Sequence, residues 1–278
     1  MHAAPIPRIG VIGFGAIADG MISALESRDR LGCLGAVLVR QDRCAAAGRK
    51  AVGRFQVATN VAELMASEPD IIVEAAGHEA VAALGPEILA RGCDLLVASV
   101  GALADPDVAR RLTAGARDGA SLWIAAGAVA GLDGLLAARS AGLDHVLYRS
   151  VKPPLAWKNT PAEGAVDLDT VRGKVVFFRG SAREAARLYP RNANVGAAIA
   201  LAGLGLDRTI VQLECDSDLA GPLGVITASG AFGHFAFEIL ALASPDNPKT
   251  SAITGHSLVS AVLDGMRFSP PAALLSGR

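Results

Sequence analysis

A run of strand length, Ile9-Gly-Val-Ile12, leads directly into Gly13-Phe-Gly15-Ala-Ile-Ala18 and then into a segment of helical period. This order constrains the chain more than any other feature in it. The first glycine permits a tight turn, the second lets phosphates approach the backbone, and a small third residue lets the helix pack against the strand. Gly13, Gly15, Ala16, Ile17 and Ala18 are therefore candidate contacts for the pyrophosphate of NAD or NADP, held on the N–H groups of a helix start.

The pattern that follows extends the first unit into a sheet. Apolar runs recur at Leu34–Val39, Ile71–Ala75, Leu95–Ala98 and Leu122–Ala125, separated by segments of helical period at 17–27, 42–52, 79–91 and 108–119. Alternating strands and helices predict parallel strands with right-handed crossovers, hence an α/β fold built on a Rossmann dinucleotide-binding domain. The strand ends at Ala76 and at Gly127-Ala128 should line the carboxyl edge where such sheets hold their ligands, and His78 stands close behind the first of them. The second strand ends Val39-Arg40-Gln41-Asp42, with arginine where an NAD site usually has an acid. Arg40 could pair with the 2′-phosphate of NADP, and Asp42 could instead reach the ribose of NAD.

Beyond about residue 130 the rhythm changes to that of a second, α+β domain. Runs at Val146–Tyr148, Lys174–Phe178 and Thr209–Leu213 precede a hairpin of Gly224–Ser229 with His234–Leu240, turning at Gly230-Ala-Phe-Gly233. A closing helix is expected over 250–266, after Pro248. The formal charge of −1 leaves no clustered basic surface for nucleic acid. No apolar run reaches the ~20 uncharged residues of a membrane span, and the first eight residues lack the order of a signal peptide, so a cytoplasmic protein is expected. Aromatics make up only 4% of the chain, so the core must rest on Ala, Val, Leu and Ile. Cys33, Cys44, Cys93 and Cys215 form no CxxC pair, and neither a metal site nor a disulfide framework follows from their spacing.

With these segments in place the sequence resembles the L-aspartate dehydrogenase family over nearly its whole length. The resemblance is carried by Ile12–Ile17, Val73-Glu-Ala-Ala76, Ser99–Ala104, Ala126–Asp133, Lys152-Pro-Pro154, Tyr189–Val195, Ser229–Gly233 and Asn247-Pro-Lys-Thr-Ser251, in this order and at these separations. It implies hydride transfer from an amino acid's α-carbon to NAD(P), giving an imine that hydrolyses to an oxo acid and ammonia, or the reverse. It implies that Ala128, through its backbone N–H, and Asn194 contact the nicotinamide. It implies that the closing helix returns to the first domain, which then spans 1–128 plus 247–278 and leaves 129–246 for substrate binding and for pairing in a homodimer.

The family's catalytic histidine falls shortly before the Gly-x-Phe-Gly loop, and Gly224 stands there in this chain. His234 is the nearest substitute acid or base, although a strand or interface histidine is the plainer reading. Lys152, at a strand end, could hold a substrate carboxylate or donate a proton. Asn192 and Asn194 precede an Ala-rich helix, so contact with an amino or imino acid and simple capping both fit them. The same pair of readings applies to Thr250 and Ser251, which are expected at the start of the closing helix.

Overall fold

The computed structural model describes residues 6–244, 247–251 and 253–276, the side chains at 191, 243–250 and 276 excepted. It divides into two compact units. The first takes residues up to 102, 107–127 and 254–269, and the second takes 103–106, 128–253 and the chain from 270. The return to the first unit is therefore shorter than the expected 247–278, because only 254–269 packs there.

In the first unit, β1 (Ile9–Ile12), α1 (Ala16–Ser27), β2 (Leu34–Leu38), α2 (Cys44–Ala51), β3 (Gln56–Ala58), α3 (Val61–Met65), β4 (Ile71–Glu74), α4 (His78–Ala90), β5 (Asp94–Val97), α5 (Pro106–Gly115) and β6 (Leu122–Ala125) follow one another. The strands lie in the order β3-β2-β1-β4-β5-β6, all parallel, so the crossover reverses between β1 and β4. This is the Rossmann arrangement, with its ligand edge at the carboxyl ends of β1 and β4. Ile9, Val11, Val37, Ile71, Val73 and Leu96 share one buried core with α1.

The second unit has α6 (Leu132–Ser140), β7 (Leu143–Lys152), β8 (Lys174–Ser181), α7 (Ala182–Leu188), α8 (Asn194–Ala202), β9 (Ile210–Asp216), β10 (Leu223–Gly230) and β11 (Gly233–Leu240). Five strands form one sheet in the order β11-β10-β7-β9-β8, with only β7 and β9 parallel. Its two faces differ because side chains alternate along each strand. Val146, Tyr148, Val211, Leu213, Cys215, Ile226 and Ala228 lie on the face that is buried. The other face carries charge: Arg149 Nε donates to Glu214 Oε1 at 2.6 Å, and Gln212 donates to the same oxygen at 2.9 Å.

A short pair, β12 (Ala243–Ser244) with β13 (Asn247–Ser251), precedes α9 (Ile253–Leu263), and β14 (Arg267–Phe268) follows it. The helix expected from residue 250 thus begins three residues later, and Thr250 and Ser251 belong to a strand. Ser251 is held in that strand by antiparallel pairing with Ala243, which accounts for the later start. Leu258, Val259, Ala261 and Val262 of α9 join the core of the first unit, and β14 adds an antiparallel edge to β6.

Candidate active site

The glycine loop is built as its residue types require. Gly13 has φ +106° and donates its N–H to the Leu38 carbonyl at 2.9 Å, and a Cβ there would lie 2.7 Å from the Ala75 carbonyl oxygen. Only glycine tolerates both conditions. Gly15 is the N-cap residue of α1, in extended conformation and without a side-chain cap, and a Cβ on it would meet nothing within 4 Å. Open space above an uncapped helix start, with Ala16, Ile17 and Ala18 in its first turn, fits a dinucleotide's pyrophosphate.

Glu74 organises the neighbouring strand ends. Its side chain is fully buried, yet Oε1 accepts from the N–H groups of Ala76 and Gly77, both at 2.7 Å, and from Ser99 Oγ at 3.0 Å. Its Oε2 accepts from the Ser99 N–H at 3.0 Å. Burial pushes this carboxyl above its ordinary range, and the donors from Gly77, Ser99 and Ala76 pull the other way. One side chain thereby fixes the turn after β4 and the end of β5, and it ties up the Ala76 N–H. Gly127 has φ +67° and likewise gives its N–H to a protein partner, Ser257 Oγ of α9 at 2.8 Å. The two positions can thus meet a cofactor through surface contact but not through those donors. Ala128 follows directly in the chain and is the first residue there of the second unit.

Arg40 is highly exposed and lies 3.5 Å from Asp42, so the two alternatives for the ribose position pair with each other. Arg43 was not singled out from the sequence, although it belongs to the same cluster. A short helical turn over Gln41–Arg43 folds it back, and its guanidinium donates to the Phe14 carbonyl, inside the glycine loop, at 3.3 Å.

In the second unit the polar groups converge on one end of β7. Lys152 Nζ donates to Asn192 Oδ1 at 2.7 Å and sits 5.2 Å from the Trp157 ring centroid. Asn192 is thus engaged by lysine, and the N-cap position of α8 is Ala193, with no side-chain cap; Asn194 is the first helical residue. Ser150 and Tyr148 precede Lys152 by two and four residues and share its face. Ser150 stands opposite Gly224 of β10. The Ser251 hydroxyl is buried and has no hydrogen-bond partner among the described residues, while the side chain of Thr250 lies outside them.

His234 does not join this cluster. It is exposed and pairs with Ser229, whereas Gly224 pairs with Ile239 five rungs away, or about 17 Å at ~3.4 Å per residue. The odd number of rungs also puts it on the opposite face of the sheet, so it is corrected from candidate acid or base to a surface strand residue. What the sequence missed was Tyr148. It reads as one apolar position of a short strand, and only the ten-residue length of β7 sets it in line with Ser150 and Lys152.

Known proteins bear on this arrangement from three directions. Residues 13–124 match the family model described as homoserine dehydrogenase, NAD binding domain, and residues 133–264 match aspartate dehydrogenase, C-terminal. The L-aspartate dehydrogenase of Ralstonia pickettii is 44% identical over 91% of this chain and 96% of its own length, and that of Pseudomonas aeruginosa is 43% identical over the same shares. Among solved structures, aspartate dehydrogenase from Thermotoga maritima superposes with a TM-score of 0.69 at 22% identity, covering 93% of this chain and 96% of its own. GenD2 from gentamicin A biosynthesis, solved with NAD, superposes at 0.56 with 17% identity, over 99% of this chain and 92% of its own. The last two show the fold. Identity above 40% along nearly the whole of both chains shows more: this chain is a member of the L-aspartate dehydrogenase family.

Proposed function

We propose that this protein is an NAD(P)-dependent dehydrogenase that interconverts L-aspartate and iminosuccinate, the latter hydrolysing to oxaloacetate and ammonia. The carrying observation is the 44% identity to a relative named for that activity, spread over 96% of the relative's length. When bound, the cofactor accepts hydride from the substrate's α-carbon. Every other task falls to the protein. The loop from Gly13 to Ala18 receives the pyrophosphate, and Arg40 and Arg43 flank the ribose position, where their charge favours a 2′-phosphate and hence NADP.

Lys152 holds a carboxylate of the substrate, with Asn192 fixing the ammonium's direction through the 2.7 Å bond between them. The buried Ser251 hydroxyl on β13, unpartnered among the described residues, supplies a donor for a second carboxylate. A homodimer formed through the charged face of the second unit's sheet fits the exposed Val176 and Leu240 on that face. No helix among the described residues is long and apolar enough to cross a membrane, in keeping with work in the cytoplasm.

The direct test is absorbance of the reduced nicotinamide with purified protein, run with aspartate and NAD+ or NADP+, and in reverse with oxaloacetate and ammonium. Turnover dependent on ammonium in the reverse direction supports the assignment. Reduction of oxo acids without ammonium would instead mark a hydroxy-acid enzyme and overturn it.

A further inference from the structure

Tyr148 is the least expected member of the second unit's polar cluster. Its ring lies between two glycines: a Cβ on Gly196 of α8 would stand 3.5 Å from one ring edge, and a Cβ on Gly224 of β10 would stand 3.5 Å from both Cε2 and the hydroxyl oxygen. Neither neighbouring element presents a side chain at those positions, so backbone holds the ring on both sides. A phenylalanine would fill the same space. The hydroxyl is what needs a reason, and it ends beside the bare strand position of Gly224.

The ring lies among the buried apolar side chains of this face, and its hydroxyl also belongs to a polar row. Tyr148, Ser150 and Lys152 alternate along one face of β7, spaced by ~6.8 Å per two residues. Ser150 is 2% exposed and hydrogen-bonds to the phenol oxygen. Lys152 continues the row to Asn192 at 2.7 Å. Burial pushes the phenol up to about 12, which keeps the proton on the oxygen through the whole range in which dehydrogenases are assayed. The group is thus a neutral donor and not a base.

The geometry points to the Tyr148 hydroxyl as a hydrogen-bond donor to the substrate, directed over Gly224 at the nitrogen or oxygen carried by the carbon that exchanges hydride. This rests on the amino-acid dehydrogenase reading above. It assigns a contact to the reacting group within a chain whose β10 offers none there.

Tyr148→Phe removes only the hydroxyl. The expected result is a loss of roughly 100-fold in kcat, the size typical of deleting one donor to a reacting oxygen or nitrogen, with the cofactor's dissociation constant unchanged. Because a Cβ at Gly224 meets only ordinary contacts, Gly224→His can be added to Tyr148→Phe. The double variant should regain at least tenfold over Tyr148→Phe, and its kcat should gain an inflection near pH ~6.5 that the parent protein lacks. Gly224→His in the parent background is the control: where Tyr148 already supplies the donor the added imidazole should raise kcat by less than threefold, whereas with a purely structural tyrosine it would raise kcat alike in both backgrounds.

Retention of kcat within threefold in Tyr148→Phe overturns the inference. Should the parent protein fail to turn over aspartate, the dehydrogenase reading is damaged on its own. Tyr148 is then judged by oxaloacetate binding to protein loaded with NADPH, where tenfold weaker binding in Tyr148→Phe supports the contact and equal binding or none in the parent overturns it. If Tyr148→Phe does not fold, Ser150→Ala takes its place, with a fivefold loss of kcat expected and an unchanged kcat counting against the contact.

Discussion

Gly13 and Gly15 sit two residues apart and are glycine for different reasons, which makes them separable by experiment. A methyl group at Gly13 meets the Ala75 carbonyl oxygen at 2.7 Å with φ at +106°, so Gly13→Ala should lower the melting temperature as well as cofactor binding. A methyl group at Gly15 meets nothing of the protein. Gly15→Ala should therefore melt with the parent while binding NADPH at least ~10-fold more weakly in fluorescence titration, since the methyl takes space meant for phosphate. Equal affinities in Gly15→Ala would remove the pyrophosphate from this loop. The arginines beside the loop allow a second test: Arg43→Ala combined with Arg40→Ala should cost NADP+ roughly 1.5–3 kcal/mol and NAD+ much less, because a charge-assisted bond to the 2′-phosphate is lost from only one of them. A matched loss for both cofactors would rule out the 2′-phosphate role. At this scale the shape of the glycine loop was legible because it lies in local backbone geometry. Glu74, Arg43 and Tyr148 were not, because each acts through partners brought near by the fold: Ser99 across from Glu74, Phe14 under Arg43, Gly224 beside Tyr148.

Elements read well where hydrophobic period and length agreed, and poorly where either was short. β1 and β6 begin and end at the residues their sequence predicts, and α1 differs by one residue. The three-residue β3, the five-residue α3 and the two-residue β14 carry too few positions to show any period, and all three depend on neighbours for their shape. Thr250 and Ser251, the end of β13, were expected to open a helix because Thr and Ser resemble caps. The return of α9 to the first unit was implied by resemblance alone, and the structure supplies its cause. A Cβ on Gly255 would come 2.5 Å from the Gly20 carbonyl carbon, so α1 and α9 cross backbone to backbone with glycine on each side. Gly255→Ala should destabilise the protein by about 1–3 kcal/mol in urea unfolding, as overpacking does. Gly48→Ala in α2 is the control: nothing lies within 4 Å of its added Cβ, so it should stabilise by roughly 0.5–1 kcal/mol. Equal behaviour of the two would mean that the crossing is looser than its geometry.

Among the described residues each unit holds ion pairs of its own, and these set the acid limit of the fold. In the first unit Arg28 holds Asp264 below its ordinary range through a 2.9 Å bond. In the second, Arg183 grips Asp207 with two bonds of 2.6 and 2.9 Å and depresses it. Burial opposes the same effect at Glu214, but the bonds from Arg149 and Gln212 outweigh it and leave that carboxyl lowered as well. A carboxyl with a lower value folded than unfolded stabilises the fold above the unfolded value, ~4, and this is lost as pH falls through the folded value. Glu74 has the opposite sign: raised by burial, it favours the fold more when protonated and so partly offsets the loss on the acid side. The sum predicts a melting temperature nearly level from pH 8 to about 5 and falling steeply below about 4. Asp207→Asn isolates one contribution. It should cost no more than about 1 kcal/mol at pH 7, because the pair is half exposed, and the gap from the parent should narrow as pH falls below the ordinary carboxylate range. A gap that stays constant with pH would mean that Asp207 contributes through packing and not through its charge.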